Sequence, residues 1–132
     1  MNYNYFMKKF LALLLTLLIS FNSYSEWEKF TVDEDGDTWY IDTNTIKKSL
    51  LWVYWWDLVD LKKPDKDGFM SDKIYNMGDC AVNSVKAKSR WAHKQSMGRG
   101  KGQMASVYSE WFYPPPDSAD SRMLNWVCNY VK

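Results

Sequence analysis

Leu50-Leu51-Trp52-Val53-Tyr54-Trp55-Trp56-Asp57-Leu58-Val59-Asp60-Leu61 decides the fold. The run is dense in Trp, Val, Tyr and Leu, which suit a pleated, half-buried surface. Read as a strand, alternation places Leu51, Val53, Trp55, Val59 and Leu61 on one face, with Asp57 as the exception. The other face carries Leu50, Trp52, Tyr54, Trp56 and Leu58. A sheet that meets water on one side needs only one apolar face. The second face must then be covered by loops folded over it, by a second copy, or by a ligand. Aromatic side chains bury large area at low entropy cost and are common at interfaces. Trp52, Tyr54 and Trp56 are therefore the candidate binding face.

On the N-terminal side, Trp27–Val32 alternates and reads as a strand. Asp33-Glu34-Asp35-Gly36-Asp37 is a turn, and Thr38–Ile41 returns as the second strand of a hairpin. Asp42-Thr43-Asn44-Thr45 reads as a further turn or one helical turn. On the C-terminal side, Lys62–Gly68 contains Pro64 and Asp67-Gly68 and reads as a hairpin connection. Phe69–Met77 and Ala81–His93 read as strands around Gly78-Asp79-Cys80. Ser96–Gly102 is a glycine-rich loop, and Gln103–Tyr113 a last strand stopped by Pro114-Pro115-Pro116. The period then changes. Met123, Leu124, Val127, Cys128 and Val131 share one helical face, with Asp117 or Ser118 available as cap and Asp120 favouring the first turn. The expected fold is α+β: an antiparallel sheet of about six strands with one C-terminal helix packed on it.

The chain has 132 residues, enough for one domain. Seventeen basic against sixteen acidic residues argue against a nucleic-acid partner. An aromatic content of 17%, including eight Trp, is the unusual term. At the N-terminus, Lys8 and Lys9 precede the apolar run Phe10–Ile19, and Ser23-Tyr24-Ser25 offers a cleavage site. This pattern is a secretory signal peptide, residues 1–25, leaving 26–132 as the domain. The run is too short for a membrane span, which needs about 20 apolar residues. No Cys near the cut offers a lipid attachment point.

Both cysteines, Cys80 and Cys128, survive that cut, and an even count in an exported chain implies a disulfide. It would staple the helix to the strand edge and contribute roughly 4 kcal/mol through chain entropy. A zinc site is short of ligands, with these two and the single His93. Asp33–Asp37 has the acidic density of a calcium loop, but Gly36 and Asn44 fall at the wrong places for an EF-hand, so a hairpin turn is the better reading. Gly98-Arg99-Gly100-Lys101-Gly102 lacks phosphate-loop spacing and reads as a loop between strands. His93 has no nucleophile in a recognisable setting, and nothing selects two carboxylates as a glycosidase pair. No catalytic residue, metal or cofactor is expected.

In order along the chain, Trp39-Tyr40-Ile41-Asp42 with Thr45-Ile46, Val53–Trp56 with Asp60 and Lys63-Pro64, Ser71 before Asp79-Cys80, Met97–Gly100, Pro115–Ser118 and Val127-Cys128 resemble the surface-adhesin protein E-like domain of proteobacterial envelope proteins. The resemblance covers nearly the whole domain. It implies an antiparallel sheet with a C-terminal helix, and export. The family takes its name from a lipid-anchored outer-membrane adhesin that binds host extracellular-matrix and serum proteins. The resulting expectation is an exported, adhesin-like, non-enzymatic binding module in the periplasm or at the surface of a Gram-negative cell. Its partner would be a protein or glycan of the host matrix or envelope. The alternatives are a small periplasmic enzyme acting on glycans, or a structural protein that homodimerises through the aromatic stripe.

Overall fold

A computed structural model of the chain describes residues 2–19 and 27–132. Six strands form one antiparallel sheet in strict sequence order. They are β1 (Glu28–Val32), β2 (Thr38–Ser49), β3 (Trp52–Asp60), β4 (Ser71–Asp79), β5 (Ser84–His93) and β6 (Gln103–Ala105). Helix α1 (Tyr3–Ile19) precedes the sheet, and α2 (Ala119–Tyr130) follows it. The α1 helix holds Lys8, Lys9 and the apolar run, and its side chains are exposed as far as residue 15. The cleavage site expected after Ser25 lies outside the described residues. No described helix is long and apolar enough to cross a membrane.

β3 keeps the alternation of its sequence, and α2 covers its aliphatic side. Val53 and Trp55 are buried with Ile41 of β2, Val85 of β5, and Met123, Leu124 and Val127 of α2. Burying each such side chain contributes about 1.5–3 kcal/mol. Ser118 caps α2, its hydroxyl accepting from the Ser121 N–H at 3.2 Å. Cys80, just beyond β4, is bonded to Cys128 on α2, with Cα atoms 5.8 Å apart.

Four local expectations need correction. Leu50 and Leu51 are not strand residues. They form the two-residue tip of the β2–β3 hairpin, closed by the pair Ser49 and Trp52. Asp42–Thr45 does not end a strand. It is a bulge inside β2, where the register jumps from Asp42 opposite Trp56 to Lys47 opposite Tyr54. The turn chemistry persists within that bulge. Asp42 Oδ1 accepts from the Asn44 N–H, and Thr45 Oγ1 accepts from the Trp56 N–H at 3.0 Å, replacing a lost ladder bond.

The third correction concerns Gly78, which lies within β4 rather than in a turn; the chain reverses at Cys80–Asn83. A Cβ on Gly78 would sit 2.6 Å from Leu124 Cδ1 and 2.9 Å from Trp55 Cζ3. Its missing side chain is what lets α2 approach the sheet. Finally, the expected strand Gln103–Tyr113 is regular only over Gln103–Ala105. The outer segment rejoins β5 at a single bridge, Phe112 with Val85. It has more residues between these two contacts than β5 does, so it bows away from the ladder.

Candidate functional site

Trp52, Tyr54 and Trp56 project from the sheet face opposite α2, and all three are half-buried. Antiparallel pairing sets Asp79, Met77 and Tyr75 of β4 beside them. Tyr75 joins the row, stacking on Trp56 at 5.1 Å and on Tyr54 at 6.0 Å between ring centroids. Trp111, from the bowed outer segment, leans onto Trp52 at 6.2 Å. The structure thus brings all three candidates together and adds two aromatics. Tyr75 was concealed in an ordinary-looking strand, and Trp111 reaches the face only because its segment leaves the ladder.

The face is neither an open sheet nor a second sealed core. At one end Leu58 is fully buried beneath the 3-10 turn Ser96–Gly98, where a Cβ on Gly98 would lie 2.8 Å from Leu58 Cδ1. Ser71 holds that turn down, donating to Gln95 O at 2.6 Å and accepting from the Gly98 N–H at 2.8 Å. Buried His93 lies 3.3 Å from Arg99 O through Nδ1 and packs against Gly102. The glycine-rich loop is therefore a packed cover, and Ser71 and His93 serve it rather than forming a nucleophile and base.

At the other end the aromatics are edged by cations. Lys47 of β2 and Lys86 of β5 share the cross-strand row of Tyr54 and Met77. Among the described residues the sole ion pair joins Arg90 and Asp72 at 3.1 Å, so neither lysine has an acidic partner. The acids on this face are tied to backbone. Asp42 accepts from the Asn44 N–H, Asp60 from the Met97 N–H and Asp79 from the Ala81 N–H.

The helix-covered face contains the exception in β3. Asp57 is 2% exposed, and Asn76 Nδ2 donates to its Oδ2 at 2.7 Å. Oδ1 and the buried Trp55 Nε1 have no well-formed hydrogen bond. Burial pushes the Asp57 carboxyl well above the usual carboxylate range, and Asp120 and Asp72 push the same way. The Asn76 amide and Trp55 indole favour the charged form without reversing the outcome. Burial also raises Asp120, in the first turn of α2.

Asp120 borders a cleft of about 610 Å³ between α2 and the β1–β2 turn, together with Asp33, Glu34, Asp35, Trp39 and Arg122. Asp33, Asp35 and Asp37 bring carboxylate oxygens within 4.8 Å of one another. The Asp33 oxygens already accept from the N–H groups of Asp35 and Asp37 and from Trp39 Nε1. The loop shapes its own hairpin, as its sequence suggests.

A family model described as Surface-adhesin protein E matches residues 27–129. No curated protein sequence matches the chain. Among solved structures, crystal form II of Haemophilus influenzae protein E is similar at a TM-score of 0.64 and 17% identity. That match covers 84% of this chain and 94% of the other. Another structure of Haemophilus influenzae protein E is similar at 0.62 and 14% identity, covering 83% and 88% of the two chains. At such identities the likeness shows a shared fold.

Proposed function

The chain belongs to the surface-adhesin protein E family, and from that premise we propose that it is an exported, non-enzymatic binding module of the bacterial envelope whose ligand meets Trp52, Tyr54 and Trp56. Residues 1–25 direct export, and 26–132 form the binding domain. The observation that supports this site is the aromatic row Trp52, Tyr54, Tyr75 and Trp56, with Tyr75 stacked on Tyr54 and Trp56, half-exposed on the face that α2 leaves free. A contiguous row of this kind exceeds the scattered apolar residues normal on a monomer. Ligand classes that suit it are a host-matrix or envelope protein, or a glycan whose rings stack on the indoles.

The glycan-enzyme alternative needs two carboxyls facing one cleft. Asp120 borders the cleft beside α2 with Asp33, Glu34 and Asp35, but Asp33 is committed to three N–H donors, Glu34 and Asp35 are exposed turn residues, and Asp57, the other raised carboxyl, is buried away from it. The test is capture of ligands from host-matrix and envelope extracts, repeated with Trp52→Ala and Tyr54→Ala. Anchors of this type commonly contribute about 2 kcal/mol or more each, so binding should fall at least tenfold. The melting temperature should move by only a few degrees. If both variants instead lose about 3–5 kcal/mol of stability, as for a fully buried aromatic, the row is core and the site lies elsewhere.

A further inference from the structure

The tip of the β2–β3 hairpin has no explanation in the fold. Leu50 is 90% exposed and Leu51 79%. Leu50 also adopts a φ of 54°, a left-handed conformation that is a genuine outlier for a bulky side chain. A positive φ at the first central position alone is the pattern of a type II′ turn, where glycine is the usual residue. Two leucines here gain no packing and add strain. Strain that folding does not need is a mark of function.

The surroundings of the tip are layered. The row Ser49, Trp52, Asp79 and Ser84 places the β4–β5 reversal at the same end of the sheet, with Val82 50% exposed on it. Behind Leu50, Leu51 and Val82 come the paired indoles of Trp52 and Trp111. About 7 Å behind the row of Trp52, two residues along each strand, is the row of Lys47 and Lys86, with exposed Lys48 and Lys88 adjoining. The acids in this region are Asp79, which accepts from the Ala81 N–H, and Glu110, which accepts from Tyr108 Oη. Aliphatic tip, indole belt, then ammonium groups is the order in which a bilayer presents acyl chains, interface and phosphates.

We propose that the Leu50-Leu51 tip, with Val82, inserts into the surface of an anionic phospholipid bilayer, with Trp52 and Trp111 at the interface and Lys47, Lys48 and Lys86 on the headgroup phosphates. The tip is convex, and a bilayer accepts a protruding apolar turn without a matching pocket. Lys47, Lys48 and Lys86, with Lys88 beside them, complement anionic headgroups. This is independent of the ligand proposed for the aromatic row, although Trp52 belongs to both surfaces.

The test uses the exported domain, residues 26–132, with vesicles of phosphatidylglycerol or phosphatidylcholine that carry a lipid-borne quencher of tryptophan fluorescence. That domain lacks the exposed apolar run of α1, so the quenching reports the sheet and its tip. Quenching should be strong on phosphatidylglycerol, weak on phosphatidylcholine, and at least halved in the double variant Leu50→Gly/Leu51→Ser. That variant installs residues the turn favours and should retain or raise the melting temperature. Lys47→Gln/Lys86→Gln, which leaves the turn untouched, should reduce quenching on phosphatidylglycerol alone. Equal quenching of wild type and the tip variant overturns the proposal, as does absence of quenching in the wild type. Loss of extract binding in the tip variant without any vesicle signal also overturns it, because the tip then serves a protein partner. Ligand capture that survives in the tip variant leaves the aromatic-row reading intact whatever the vesicles show.

Discussion

Replacing Gly78 by Ala tests how closely α2 lies on the sheet. The added methyl would stand 2.6 Å from Leu124 Cδ1, 2.9 Å from Trp55 Cζ3 and 3.1 Å from Val53 Cγ2. Contacts under 3.0 Å force a shift. Leu124 is the end of a flexible side chain, but it is 1% exposed and Trp55 is 2% exposed, so neither has free space to enter. Overpacking of this kind costs about 1–3 kcal/mol. For a domain of about 100 residues, that is a drop of roughly 4–8 °C in melting temperature for each kcal/mol. Thermal and urea unfolding of wild type and Gly78→Ala measure it. The mechanism is isolated by adding Leu124→Ala, which alone costs about 2–5 kcal/mol by opening a cavity. If the methyl clashes with Leu124, the double variant is less destabilised than the sum of the singles, by about 1 kcal/mol or more. Additive costs, or a Gly78→Ala protein within about 0.5 kcal/mol of wild type, refute close approach as the reason for glycine here.

Asp57 sets a pH dependence. Its folded-state proton affinity is raised, so the native protein holds a proton that the unfolded chain releases in the ordinary carboxylate range. Its stabilising contribution is complete below that range and is lost as pH rises through the folded-state value. Asp57→Asn replaces the titrating carboxyl with a neutral amide and should stabilise the protein at neutral pH and flatten that fall, as read by urea midpoints across pH; an unchanged profile would count against a buried neutral acid. Removing the disulfide by Cys80→Ser/Cys128→Ser should cost about 4 kcal/mol for a separation of 48 residues, measured by urea unfolding under oxidising conditions. N-terminal sequencing of envelope material should begin at Glu26, whereas recovery of an uncut chain in the membrane pellet would show that the apolar run is an anchor.

Regular patterning carried most of the fold in legible form. The alternation around Val53 and Trp55 predicts the face that α2 covers, and the spacing of Met123, Leu124 and Val127 predicts the helix that covers it. The cysteine pair follows from an even count in an exported chain, and the candidates Trp52, Tyr54 and Trp56 follow from strand alternation and do share a face. The misreadings arise where a residue does something uncommon for its type. Leucine is not a turn former, so Leu50-Leu51 reads as more strand. Gly78 reads as a turn because a glycine chosen for close packing leaves no pattern of its own. Asp42–Thr45 has real turn chemistry that the sheet absorbs as a bulge. Trp111 depends on where an irregular segment travels, which no local period encodes.

The strictly consecutive order of the strands also shapes how the molecule is assembled. Every sheet pairing joins a strand to the next one along the chain. As the polypeptide emerges N-terminus first, each hairpin can close as soon as its second strand arrives, without waiting for a distant segment. The apolar core is different. Ile41, Val53 and Trp55 gain their cover from α2, the last element to appear. Until it docks, the sheet presents a greasy surface that favours chaperones or aggregation. The bond between Cys80 and Cys128 then acts as a latch on the final step: it closes across the docking of α2, which sequential pairing does not supply, and it marks the molecules that have completed it.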